Sequence, residues 1–140
     1  MEIQYYHTVQ AYPACDIMVL KQENGFLEAI DKARKIVEAA GNQQASDIVL
    51  LDAREVCSYA DYFVICSGES TRQLEAIFDE IVETLKKEGI KPNHREGTVD
   101  SGWLLLDYGD VIVHIFAPFE REYYQLDKLW DQAKTVVRIQ

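Results

Sequence analysis

This chain of 140 residues is short of positive charge. Its 14 Lys and Arg stand against 24 Asp and Glu, a formal net charge of −10. Phosphate backbones are bound mainly by Lys and Arg that displace counterions, so direct, sequence-specific nucleic-acid binding is not expected. The short basic stretches Lys86-Lys87 and Lys32/Arg34/Lys35 are interspersed with Asp and Glu. A basic protein is the better-matched partner, because long-range attraction steers such encounters. Cysteine is scarce: Cys15, Cys57 and Cys66 are an odd number without a spacing motif. That pattern suggests reduced thiols in the cytoplasm rather than a disulfide framework. No apolar run approaches the ~20 residues of a membrane span. The first residues, MEIQYYHTVQAYPACDI, lack the basic head and apolar stretch of a secretory signal.

Motifs for chemistry are equally thin. Asp52, Asp61, Asp107 and Asp110 fall at expected strand ends, where paired carboxylates hold Mg²⁺ for nucleotidyl transfer. No expected strand, however, carries two acids one residue apart, and strand-end aspartates commonly cap turns. Gly68-Glu69-Ser70 is too short for a phosphate-cradling loop. His94, His114, Cys57 and Cys66 show no zinc-ligand spacing. A hydrogen-bonded sheet-face histidine is the plainer reading of His114, and a small buried apolar residue that of Cys66. No catalytic residue, metal or cofactor is therefore assigned.

What the chain does have is hydrophobic patterning, with 48% hydrophobic and 27% charged residues, enough for one globular domain. Residues 1–23 form an extension without clear period, within which Met18 is a candidate downstream start, and 24–140 are expected as a single domain. A first helix is expected from an Asn24 cap, with Phe26, Ile30, Ala33 and Val37 on one face and Gly41 as a left-handed C-cap. Asp47–Ala53 and Asp61–Ser67 read as strands. Ser70 caps a second helix, Thr71–Glu88, whose Leu74, Ile77, Phe78, Ile81, Val82 and Leu85 recur at helical spacing. Ile90–Gly97 reads as a connection. Trp103–Leu106 and Val111–Phe116 form a hairpin about Asp107-Tyr108-Gly109-Asp110. A short helix follows, with Tyr123, Leu126 and Trp130 on one face, and Val136–Ile139 is a final extended piece. The order α-β-β-α-β-β-α points to an α/β (α+β-type) mixed sheet with flanking helices.

Alternation puts Trp103, Leu105 and Asp107 on one face of the hairpin and Leu104 and Leu106 on the other. A strand apolar on both faces is either covered twice or docks a partner. Trp103, Tyr108, Tyr123, Tyr124 and Trp130 lie close to Asp107, Asp110, Glu120 and Glu122. Aromatic area edged by carboxylates suits an interface with a basic partner; Trp103 is assigned to that interface and Trp130 to the core.

The segments ADYFVICSGESTRQLEAI (60–77), REGTVDSGWLLLDYGDVIVHIFAP (95–118) and REYYQLDKLW (121–130), with DIVLLDA (47–53), resemble the ribosomal silencing factor, or Iojap, family. The likeness spans about residues 25–132. It implies a nucleotidyltransferase-like fold without the catalytic carboxylates or the activity. It also implies binding to a basic large-subunit ribosomal protein, the fourteenth in the standard naming, which blocks joining of the small subunit and lowers translation under nutrient limitation. A role in late large-subunit assembly is implied as well. Position by position, Trp103, Leu105, Asp107, Tyr108 and His114 match the family's hairpin, where the docking surface is expected. Asp61, Tyr62, Ser67 and Ser70 match its DYFV…SG-S run. Arg121, Tyr124 and Leu126 match its R-x-x-Y-x-L segment, with Arg121 expected to pair with a carboxylate and Asp127 standing where Glu is usual. The alternatives are a nucleotidyltransferase-like enzyme or nucleotide binder, and a homodimer whose aromatic face is self-complementary.

Overall fold

Strand β5 (Val111–Phe116) is buried at every residue, and the sheet is built around it. The structure, a computed structural model, describes residues 27–140; the expected Asn24 cap, Phe26 and the 1–23 extension lie outside the described residues. Helix α1 (Ala29–Asn42) leads into β1 (Ser46–Asp52) and β2 (Tyr62–Ser67), and helix α2 (Thr71–Lys86) follows. Then come β3 (His94–Glu96), a 3₁₀ turn at Val99–Ser101, β4 (Trp103–Asp107) and β5. Two short helices, α3 (Pro118–Tyr124) and α4 (Leu126–Leu129), precede β6 (Lys134–Ile139). The six strands form one mixed sheet in the order β3-β4-β5-β2-β1-β6. β2 and β5 run parallel, linked by a crossover through α2, β3 and β4, and the other pairs are antiparallel.

The two faces of the sheet are filled differently. On one, Leu104, Leu106, Val111, Val113 and Ile115 meet Ile36 of α1 and Leu74, Ile77, Ile81 and Leu85 of α2 in the larger core. On the other, Val49, Leu51, Phe63, Ile65, Ile112 and Phe116 form a smaller cluster, capped by Leu126 with Trp103, Leu105 and Trp130 packed on its margin. The alternation expected for the hairpin is the one observed, with β4 alternating half-buried and buried residues.

Several boundaries differ from the sequence expectation for local reasons. Gly41 is not the left-handed cap: α1 continues to Asn42, and the positive φ falls at Gln44 (62°). The Gln73 side chain supplies the reason, its amide donating to the Gln43 and Gln44 carbonyls at 3.1 and 2.9 Å. At the other end of that contact, Ser70 caps α2 as expected, its hydroxyl accepting from the Gln73 N–H at 3.1 Å. The connection 90–97 contains an edge strand, β3, whose three exposed residues carry no periodic signal. The helix after Pro118 is broken at Gln125 (φ 49°), which turns Tyr123 outward and leaves Leu126 buried.

Gly97 makes the return from β3 to β4. Its φ is +86°, and a Cβ there would stand 2.0 Å from the Trp103 carbonyl oxygen. Both the left-handed backbone and the backbone clash penalise a side chain. Gly97→Ala is expected to lower unfolding free energy by more than ~2 kcal/mol, read from urea denaturation midpoints. Unchanged midpoints would show that the turn relaxes freely.

Candidate functional site

The smaller core is only half roofed, and its open part is aromatic. Phe116 and Phe63 are buried at the base. Trp103 lies over Phe116 with ring centroids 5.0 Å apart, and Tyr124 lies over Trp103 at 4.5 Å. Tyr123 meets Tyr124 edge-on at 5.0 Å, and Phe119 stacks on Tyr123 at 5.8 Å. A second branch runs from Phe63 to Trp130 at 4.8 Å and to Tyr59 at 6.4 Å. Exposure rises along the first branch: Phe116 is fully buried, Trp103 half-buried, Tyr124 46% exposed, Tyr123 69% and Phe119 70%. Large exposed rings in one contiguous row are the exception on a monomer's surface.

His114 anchors Trp103 from below. The indole Nε1–H donates to His114 Nδ1 at 3.1 Å, so Nδ1 is an acceptor and the imidazole is neutral. Burial pulls the His114 pKa down to about 4. The histidine thus serves as a hydrogen-bonded member of the sheet face, as its apolar strand suggests.

Arg121 holds the α3–α4 roof in place. Its guanidinium donates to both Asp127 carboxylate oxygens at 3.1 and 2.9 Å and to the Ser67 hydroxyl at 2.9 Å. Asp47, at a bulge of β1, lies 3.2 Å from it and also pairs with Arg138 at 3.1 Å. Asp127 is therefore the carboxylate partner expected for Arg121. Gly102 (φ +76°) lets the chain pass under α3: a Cβ there would meet the Glu120 carboxylate at 2.4 Å.

Trp103, Leu105, His114 and Tyr124 come together on this face, with Arg121 beneath its edge. Tyr108 does not join them. It is buried in the opposite core, its hydroxyl without a hydrogen-bond partner among the described residues, and burial pushes its pKa up to about 12. Alternation explains this: Tyr108 continues the parity of Leu104 and Leu106 into the larger core, while the Asp107 carboxylate accepts from the Gly109 N–H at 2.7 Å to close the turn. Tyr62 is buried in that same larger core, beneath the Arg54 guanidinium at 5.5 Å. Ser70 is a helix cap and Ser67 a ligand of Arg121.

The strand-end carboxylates have local partners. Burial pushes the Asp52 carboxyl up, but hydrogen bonds and charge from Arg54 outweigh it and hold its pKa below the usual value. Asp110 pairs with Lys32 at 2.8 Å, tying α1 to the hairpin turn. Asp61 is raised by burial and by the charge of Asp110. Among the described residues no three His, Cys, Asp or Glu side chains converge as a metal site. Buried Cys66 has its pKa pushed up to about 12 by desolvation, the opposite of an activated thiol.

The His114 shift gives a signed expectation. Between its ordinary pKa of about 6.5 and its folded value of about 4, the unfolded chain binds a proton that the folded chain excludes. The contribution is complete above pH ~6.5 and declines as the pH falls to about 4, on the order of 3 kcal/mol in all. Imidazole NMR should show His114 neutral at pH 5, and His114→Phe should lose less stability than the parent from pH 7 to 4.5. A His114 titrating near 6.5 would contradict the buried hydrogen bond.

Comparison with known proteins identifies relatives of this chain. Residues 27–140 match the family described as "Ribosomal silencing factor during starvation". Ribosomal silencing factor RsfS of Bacillus subtilis is 44% identical over 100 residues, covering 71% of this chain and 85% of that protein. Mitochondrial assembly of ribosomal large subunit protein 1 of mouse is 35% identical over 98 residues, 68% of this chain but only 43% of that longer protein. A crystal structure of a Chromobacterium violaceum protein superposes with a TM-score of 0.72 at 29% identity, covering 79% of this chain and 94% of that one. With its family match extending across the sheet, the helices and the aromatic row alike, the chain belongs to the ribosomal silencing factor family.

Proposed function

We propose that this protein represses translation by occupancy: its aromatic row docks on a basic protein of the large ribosomal subunit and the bound molecule obstructs the small subunit. The observation that carries the reading is the graded row from buried Phe116 through Trp103 and Tyr124 to exposed Tyr123 and Phe119. Rings seated on a rigid base lose little freedom on binding, and aromatic anchors of this kind dominate interface energetics. The net charge of −10 favours a cationic partner and a fast encounter. The large subunit fits the printed name of the mouse relative, and a ribosomal target fits the family's description. The partner of choice is the basic fourteenth protein of that subunit.

This role requires no chemistry of the protein. Asp52 and Asp110, which a nucleotidyltransferase-like enzyme would direct at a metal, are instead engaged by Arg54 and Lys32. Docking surface residues are Trp103, Leu105 and Tyr124, with Tyr123 and Phe119 extending them; Asp107 lines the adjoining turn.

Trp103→Ala should weaken co-sedimentation with purified large subunits by about 2 kcal/mol, roughly 30-fold. Because Trp103 also packs on Phe116, Tyr123→Ala provides the control: its ring is 69% exposed, so the fold should be unaffected while affinity falls. Parental affinity in both variants would place the dock elsewhere.

A further inference from the structure

The acidic chain carries one concentrated basic feature that its sequence conceals. Six of the described cations are paired with an acid: Lys32 with Asp110, Lys35 with Glu88, Arg54 with Asp52, Arg121 with Asp127, Lys134 with Glu55 and Arg138 with Asp47. Lys86, Lys91 and Arg95 have no acidic partner within ion-pair distance among the described residues, and all three line one cleft of about 400 Å³. Its floor is apolar, from Val82, Ile90 and Pro92, and Glu83 is its single acid. Lys86 at the end of α2 is explicable as a cation at a helix C-terminus. Lys91 and Arg95 are not, since they lie beyond the helix, on the loop and on edge strand β3. Arg95 is further held by the Phe78 ring, 5.4 Å from its guanidinium carbon. Glu88, the acid nearest in sequence to Lys86, is turned away to Lys35 at 3.1 Å.

We propose that this cleft engages the phosphodiester backbone of ribosomal RNA when the protein is docked on the large subunit. The inference rests on the docking reading above and deepens it, supplying a second, chemically different contact. An Arg fork and two ammonium groups over an apolar floor suit tetrahedral oxyanions, and phosphate contacts fix orientation without reading sequence. Strand β3 is the outermost strand of the sheet and pairs only with β4, so the cleft sits at the sheet edge next to β4, on the α2 side, with the Trp103 row on the other face of the same edge. A protein of charge −10 is, on the whole, repelled by a particle rich in phosphate. Three unneutralised cations at one edge convert that repulsion into an orienting contact.

Two measurements on the full chain test the proposal. In the first, amide NMR follows titration with a twelve-base-pair RNA duplex at low salt. Shifts should concentrate at residues 82–96 and vanish in Lys86→Gln/Lys91→Gln/Arg95→Gln; no response there, or a stronger response to an Asp/Glu-rich peptide, overturns the proposal. In the second, the triple variant is compared with the parent for large-subunit binding across salt concentrations. The variant should bind about tenfold more weakly at low salt, with a log–log salt slope shallower by about 2. Parental slope and affinity overturn the ribosomal contact even if the duplex binds. A parent that never co-sediments sinks the docking reading and the ribosomal contact together, whereas a failed cleft leaves the Trp103→Ala effect intact.

Discussion

A single guanidinium determines how the second face of the sheet is finished. Arg121 reaches from α3 to the end of β2 at Ser67, to α4 at Asp127 and to the bulge of β1 at Asp47. Isolated surface ion pairs contribute little, but this one is bidentate, partly buried and branched across three elements. Without it the left-handed break at Gln125 would leave two helices, each too short for independent stability, resting on few apolar contacts. With it, Tyr124 is fixed over Trp103 and Leu126 over the smaller core.

The consequence is a face that is core below and surface above. His114 and Phe116 immobilise Trp103 from the sheet side, while Tyr124, Tyr123 and Phe119 carry the aromatic row outward. Such an arrangement meets the requirement for tight docking, namely area presented with its conformational entropy already spent. It also resolves the question raised by the hairpin's two apolar faces. Leu104 and Leu106 are covered by α1 and α2, and the Trp103 side is only partly covered, by α3 and α4.

Much of this was legible from residue order because the long amphipathic helices and the buried strands have strong periods. The alternation of Trp103, Leu105 and Asp107 against Leu104 and Leu106 was read directly, as was the Ser70 cap. Strand β3 was not legible: three exposed residues have no hydrophobic pattern, and only pairing with β4 defines them. The break at Gln125 was equally hidden, since it depends on an Arg121–Asp127 contact that helical spacing alone would not reveal. Tyr108 belongs with Leu104 and Leu106 by the same alternation, a signal that its closeness to Asp107 and Asp110 in sequence obscures. The basic cleft is not legible in residue order because Lys86, Lys91 and Arg95 come from α2, the following loop and β3, and only the fold brings them to one cleft.

Occupancy, rather than chemistry, is the central claim, and subunit association tests it most directly. Purified small and large subunits are mixed in associating buffer with increasing amounts of this protein, and joined ribosomes are measured by light scattering. The account predicts that joining falls in proportion to bound protein and stops when each large subunit carries one molecule. Undiminished joining at saturation would contradict it.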